Sequence, residues 1–338
     1  MTETKDGKNY IIENYKEREF ENIIHDIKEF LKNHSEWKKR YNRYINNLKG
    51  DGKKYRTPIK FPKVNPPLFK YTTISASENE IILRYKGQTV GKIIYERENF
   101  YLKIDKTKEE NFGCPLGKGK YPSKDEKDFN YYWKLFTDHF NTNPYKESHN
   151  EATVESELIS LIETRSCMKP VVLNYDERFQ MPTPLAASGK NLIYADGNKQ
   201  GGIDILAKIG KGGNGTKLTV IEVKDENTPE EPAEEVIKQA LAYSTFIREL
   251  LRSEHGIDWY HKFGFQCKNI EKGMPKKLVI MCLVAMPFDN AKNKSIPVRT
   301  IPIKDTKGDD EIKLGFISLK IEKKGNTIKK IEIEKICK

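Results

Sequence analysis

The sequence predicts an α/β fold, a mixed sheet flanked by helices, preceded by a basic α+β domain. Three observations predict it. The run Leu278–Met286 is apolar throughout, the mark of a strand buried on both faces. Two strand-like segments, Ile203–Ile209 and Leu218–Lys224, flank a glycine-rich turn and lie between helical patterns at Val154–Glu163 and Ala233–Arg252. The end of the chain, Ile312–Ile321 and Ile328–Ile336, alternates apolar and charged residues around Gly325, as an antiparallel hairpin does. The domain boundary is placed near residue 150. Residues 1–150 then form the basic domain, and residues 151–338 the α/β domain with its C-terminal β-hairpin.

The earlier elements follow from the same periodicities. Over residues 11–48, Ile12, Phe20, Ile23, Ile27, Phe30, Leu31 and later Trp37, Tyr41, Tyr44 and Ile45 recur at three- and four-residue spacing. That stripe suits a core-facing helix or helical pair. Glu80–Tyr85, Thr89–Tyr95 and Phe100–Ile104 read as a β-meander, with a turn at Lys86-Gly87. Phe129–Phe140 reads as a helix with Tyr132, Trp133, Phe136 and Phe140 inward, and 141–149 as a linker. Val171–Asn174 reads as a strand, and 180–202 as a long polar loop.

The 338 residues leave room for two domains. Charged residues make up 32% of them, against about 25% in an average domain. Lys and Arg outnumber Asp and Glu by 60 to 49, a formal net charge of +11. That excess favours anionic partners, nucleic acid above all; a Lys- and Asn-rich coding bias gives the same balance. The five cysteines form no CxxC pair and match no zinc pattern. No apolar run approaches the ~20 residues needed to cross a bilayer. A soluble cytoplasmic protein without a membrane partner is expected. No Walker motif is present, so any ATP dependence must come from a partner ATPase.

From Lys38 to Ser77 the only acid is Asp51. Lys38, Lys39, Arg40, Arg43, Lys53, Lys54 and Arg56 alternate there with Tyr41, Tyr44 and Tyr55. Such a mixture suits a phosphate-tracking surface with stacking platforms. A solvated helix face followed by a Pro-rich loop gives the same pattern.

The chemistry is carried by Asp204 in Gly-Ile-Asp-Ile-Leu and by Glu222 and Lys224 in Val-Ile-Glu-Val-Lys. A tight hairpin joins the two segments. Residues i and i+2 of a strand share a face, so Glu222 and Lys224 point together, and antiparallel pairing brings Asp204 opposite them. Acids and lysines in such apolar strands need partners. Carboxylate oxygens suit Mg²⁺, which polarises a phosphate and acidifies a water, while a neighbouring ammonium offsets developing charge. Solvated strand ends carrying ordinary surface charges are the plain alternative. The helix after the hairpin holds Gln239 and Tyr243 one turn apart. The helix before it holds Glu155 and Glu157.

Residues from about 151 to 288 resemble the PD-(D/E)XK nuclease superfamily. Asp204, Glu222 and Lys224 match its D…ExK motif, and Gln239 and Tyr243 match the QxxxY helix of its RecB-like members. Ile203 stands where many members carry Pro. The resemblance implies a restriction-endonuclease-like sheet and hydrolysis of DNA phosphodiesters, in a restriction, repair or defence setting. It implies that Asp204, Glu222 and the Val223 carbonyl bind Mg²⁺ or Mn²⁺. Glu155 would help as the first-helix acid, with Glu157 its rival. Gln239 would place water or the DNA backbone, with Tyr243 beside the nucleic acid. A homodimer and a defence-system partner protein are compatible with it. The alternatives are an RNA-directed nuclease, or a nuclease-fold binding protein that does not cut.

Overall fold

A computed structural model describes residues 2–3, 10–49, 64, 67–72, 74, 80–96, 99–122, 126–142, 150–173, 177–188, 190–194, 201–210, 215–225, 233–266, 273–287, 298–305, 308–324 and 327–337. Helices and mixed sheets alternate along the chain, so the protein is α/β. Two short strands, β1 (Thr2–Glu3) and β2 (Tyr10–Ile12), lead into α1 (Phe20–Asn33) and α2 (Glu36–Lys49). From Phe20 onward the stripe over 11–48 is thus a helical pair, but its start is corrected. Ile11 and Ile12 lie in β2 and pair with a later strand at Ile193 and Leu192, and the first α-helix begins only at Phe20. The buried side of the helical pair is the expected one, with Ile23, Ile27, Phe30, Trp37, Tyr41 and Ile45 all inward.

An antiparallel meander follows: β3 (Leu68–Thr72), β4 (Glu80–Tyr85), β5 (Gln88–Glu96), β6 (Asn99–Ile104) and β7 (Gly119–Pro122). The β4–β5 turn holds Lys86 at φ 46° and Gly87 at φ 82°. Positive φ at both central residues matches the right-handed twist of a two-residue hairpin. Helix α3 (Glu126–Thr142) lays Trp133, Phe136 and Phe140 on this sheet, against Leu83, Val90 and Leu102.

Beyond it come α4 (Asn150–Thr164), β8 (Met168–Pro170), β9 (Val172–Leu173) and β10 (Glu177–Phe179). Then follow β11 (Met181–Thr183), β12 (Leu185–Ser188), β13 (Asn191–Tyr194), β14 (Gly201–Ile203), β15 (Ile205–Ile209) and β16 (Lys217–Val223). Helices α5 (Ala233–Leu251) and α6 (Gly256–Lys262) lead to β17 (Val279–Pro287), β18 (Thr300–Asp305), β19 (Gly308–Lys324) and β20 (Thr327–Cys337).

The central sheet runs β18-β19-β17-β16-β15-β8, with β20 paired to β19. Strands β16, β17 and β19 are mutually parallel, and the other pairings are antiparallel. Alternation sends Val220, Cys282 and Leu314 to the face packed with α5. Ile221, Leu283 and Ile317 go to the face packed with Val154, Leu158 and Ile162 of α4. This two-faced burial accounts for the unbroken apolar run of β17. The terminal hairpin is not an appendage. The first part of β19 lies in the sheet beside β17, and its end carries β20.

Two expectations need correction. The stretch 180–202 is not one long loop. Strand β11 pairs with β14, and the β12–β13 hairpin joins β2 and β1 in a separate four-stranded sheet. Strands of three or four residues are too short to show a period in sequence. Nor does packing divide at residue 150. Helices α1 and α2 share one buried core with α5, whereas the meander and α3 have a core of their own. The meander is joined to the rest through β10, which lies parallel to β3. No helix among the described residues is long and apolar enough to cross a membrane.

Candidate functional site

Asp204 sits at a bend between β14 and β15, where the chain leaves its pairing with β11 and begins its pairing with β16. The β15 ladder starts at Ile205 opposite Ile221. Further along β16 the Val223 N–H therefore points toward a neighbour whose ladder has ended. A buried N–H needs an acceptor, and the Oδ2 of Asp204 supplies it at 2.9 Å. On its other edge β16 stays paired, with the Lys224 N–H donating to the Ala285 carbonyl at 2.9 Å. The end of β16 is thus held from both sides.

Glu222 is only 2% exposed. Its Oε1 accepts a hydrogen bond from the Lys224 ammonium at 3.2 Å, and its Oε2 is buried with no hydrogen-bond partner among the described residues. Lys224 is buried as well, and its Nζ also reaches Glu151 Oε1 at 3.4 Å. Glu151 and Glu155 stand four residues apart on α4, which places both on one helix face. Glu155 lies beside Asp204, whose charge raises its pKa. Glu157 points elsewhere, with Lys86 Nζ at 3.8 Å. Of the two rivals on this helix, Glu155 is the one at the carboxylate site.

Burial and mutual repulsion raise the pKa values of Glu155, Asp204 and Glu222. Burial, then the Asp204 charge, pushes Glu155 up to about 8. Burial pushes Asp204 up to about 6, against the pull of the Val223 N–H and Lys224. Glu222 stands well above its ordinary range, again through burial and then Asp204. Burial lowers the Lys224 ammonium pKa, but Glu222, Glu151 and Asp204 together outweigh that and hold it raised. The site therefore has more carboxylate than cation. No donor reaches the buried Oε2 of Glu222 among the described residues, but Asp204 and Glu222 share a side-chain hydrogen bond. A proton held between the two carboxyls, or a divalent cation in its place, would satisfy the pair. Among the described residues, no group of three His, Cys, Asp or Glu is already arranged to hold a metal ion. Lys224 is the cation the carboxylates hold as they stand.

Tyr243 corrects the sequence reading. It does not face a nucleic-acid surface but is 3% exposed, with its hydroxyl accepting the Ala187 N–H at 3.4 Å. Gln239, half-buried one turn earlier, hydrogen-bonds the same hydroxyl. Burial and then the Glu222 charge raise the Tyr243 pKa, so this helix forms the wall behind Glu222.

The basic stretch is also partly corrected. Lys38, Lys39 and Arg43 are exposed on α2, and Arg40 is half-buried. Tyr41 and Tyr44 are not stacking platforms, because both are buried. The Tyr41 ring lies 5.0 Å from that of Phe246, and its hydroxyl donates to the Pro182 carbonyl at 2.6 Å. Lys53, Lys54 and Arg56 lie outside the described residues. Trp259 and Phe263 are likewise packing residues, buried with Tyr41 and Phe179.

Three site residues escaped the sequence reading. Glu151 had a signal, one helical turn before Glu155. Arg84 and Arg178 had none, because tertiary structure alone brings them near. Arg178, on β10, grips Glu163 of α4 through Nε and Nη2 at 2.8 and 2.9 Å and stacks 3.3 Å over the Phe69 ring. Arg84, on β4, stacks 4.3 Å over the Tyr71 ring. The positive fields of Arg84 and Arg178 both act on Glu155.

Compared with protein-family models, with curated proteins and with solved structures, the chain matches none.

Proposed function

We propose that this protein is a divalent-metal-dependent endonuclease of the PD-(D/E)XK type, hydrolysing DNA phosphodiesters on a restriction-endonuclease-like sheet. One observation carries the reading. Asp204, Glu222 and Lys224, with Glu155 from the preceding helix, meet where β16 ends, and one buried carboxylate oxygen there has no partner among the described residues. Asp204, Glu222, Glu155 and the Val223 carbonyl would hold Mg²⁺ or Mn²⁺. A bound ion of this kind supplies Lewis acidity at a phosphate oxygen and a more acidic water. The Lys224 ammonium, released from Glu222, would face the charge that develops on the phosphate. Gln239, half-buried and held by Tyr243, would orient water or backbone at the rim.

Incubation with supercoiled plasmid, single-stranded DNA and RNA, with Mg²⁺, Mn²⁺ or EDTA, tests this directly. Metal-dependent nicking or linearisation of DNA is expected. Cutting of RNA alone would make the protein an RNA-directed nuclease. Nucleic-acid binding without any cutting would support the second reading, a binding protein on a nuclease fold. The ion pair of Lys224 with Glu222 and the lack of a ready three-carboxylate group among the described residues favour that second reading.

A further inference from the structure

We propose that Arg84, carried to the carboxylate site by the N-terminal meander, is a phosphate-binding residue that seats the DNA backbone beside Glu155 and Asp204. The inference rests on the nuclease reading for its setting, but its observations are separate.

An arginine inside a folded protein normally satisfies its donors with carboxylates or carbonyls. Arg178 does so through Nε and Nη2, on Glu163 and Ser160, and only its buried Nη1 is left without a partner among the described residues. Arg84 does not. Among the described residues it makes no ion pair, and its buried Nε has no hydrogen-bond partner. Its guanidinium is nevertheless held in place, stacked on the buried Tyr71 ring at 4.3 Å. Stacking fixes the plane of the guanidinium while leaving its edge donors available, which suits two-point recognition of a phosphate.

The fold places this group close to the carboxylates. Arg84 lies two residues before the Lys86-Gly87 turn, and that turn abuts the first turn of α4. The Thr153 hydroxyl donates to the Lys86 carbonyl at 3.5 Å, and Lys86 Nζ pairs with Glu157. The same α4 turns carry Glu151 and Glu155. Electrostatically, Arg84 is the foremost influence favouring the charged form of Glu155. A nuclease site rich in carboxylate repels the polyanion it must admit. An unpaired, pre-oriented arginine at its margin offsets that repulsion at the phosphate itself.

The test is binding of a fluorescent DNA duplex in EDTA across a salt series, with cleavage in Mg²⁺ measured in parallel. Arg84→Gln is expected to weaken metal-free binding roughly tenfold and to reduce the salt slope by about 0.9, the signature of one phosphate no longer neutralised. Arg84→Lys should restore the slope and only part of the affinity, since charge returns without the planar fork. A purely structural role, neutralising Glu155, would lower the melting temperature and leave the slope alone, and would overturn the proposal. So would wild-type affinity and slope in folded Arg84→Gln. If Arg84→Gln does not fold, Arg84→Lys decides. Weakened binding on an unchanged slope supports the proposal, and wild-type affinity overturns it. Arg84-dependent binding by a wild type that never cuts would refute the nuclease reading and leave the phosphate-binding role standing. Cutting unaffected by Arg84→Gln would do the reverse. A wild type that binds no DNA overturns both.

Discussion

Gly87 packs so tightly on Ala152 that a Cβ at Gly87 would stand 2.2 Å from the Ala152 carbonyl oxygen. Gly87 also has φ +82°, where a side chain is strained. The meander touches the helix bearing Glu151 and Glu155 at this point. Gly87→Ala is therefore expected to push the β4–β5 turn off α4. Stability should fall by about 1–3 kcal/mol from backbone strain and overpacking, as read by chemical denaturation. If Arg84 acts at the site, DNA affinity should fall as well. Wild-type stability in Gly87→Ala would mean that the close approach can relax without cost.

Asp204, Glu222 and Lys224 should fail in different ways. Asp204→Asn keeps an acceptor for the Val223 N–H, so the fold should hold while metal affinity and cleavage drop. Glu222→Gln should behave similarly. Lys224→Ala should spare metal binding, and should tighten it, because the competing ammonium on Glu222 is gone. Cleavage should still fall about a hundred- to a thousand-fold, the loss of roughly 3–4 kcal/mol of transition-state stabilisation. Calorimetric titration with Mn²⁺ and a plasmid assay separate these effects. Wild-type-like cleavage by folded Asp204→Asn would remove the active site from this position.

The raised acids give the metal-free protein a definite pH dependence. Asp204 and Glu155 are pushed up to about 6 and about 8 in the fold. Their unfolded values are about 3.9 and 4.3. The native state therefore binds more protons than the unfolded chain between those limits, and stability must fall as pH rises through the window. The melting temperature without metal should decline from about pH 4 to about pH 8–9, the span set by the same two raised acids. Mn²⁺ should restore more stability at the alkaline end, because it competes with protons for the same oxygens. Glu155→Gln should flatten the upper part of the decline. A melting temperature that rises with pH in EDTA would contradict the carboxylate burial described for this site.

Legibility in sequence followed the range of the interactions. Periodicity located α1–α2 and β4 because each buries a regular face of its own residues, whereas β16 and β17 were legible as near-continuous apolar runs buried on both faces. The approach of Asp204 to β16 was legible because β15 and β16, successive in the chain, pair as antiparallel neighbours. What failed was long-range. For Tyr41 and Tyr44 the core-facing periodicity held and the stacking-surface composition misled, because composition does not say which side of α2 meets Phe246. Arg84 and Glu155 lie far apart in the chain, and no local pattern announces that a hairpin turn will dock on a helix N-terminal turn. Tyr243 had the right spacing and the wrong surroundings, since its burial depends on Ala187 in a stretch of very short strands.

The exposed face of α2 gives the last prediction. With Trp37, Tyr41 and Tyr44 turned inward, Lys38, Lys39 and Arg43 remain outward with no acid on that helix beyond Glu36. If this face tracks the DNA backbone, its contribution is charge without stacking. Replacing all three with Gln should leave the fold intact, because surface substitutions usually change stability by no more than about 0.5 kcal/mol. DNA affinity should fall uniformly across sequences, and the salt slope should shrink by about 0.9 for each phosphate that is no longer neutralised. Replacing the aromatic residues should act quite differently. Tyr41→Ala removes a buried ring and its hydrogen bond to Pro182, and should cost about 3–5 kcal/mol of stability. An unchanged salt slope in the folded triple variant would make this a solvated helix face. The cations that meet the DNA backbone would then have to lie elsewhere, with Arg84 at the site margin the first candidate.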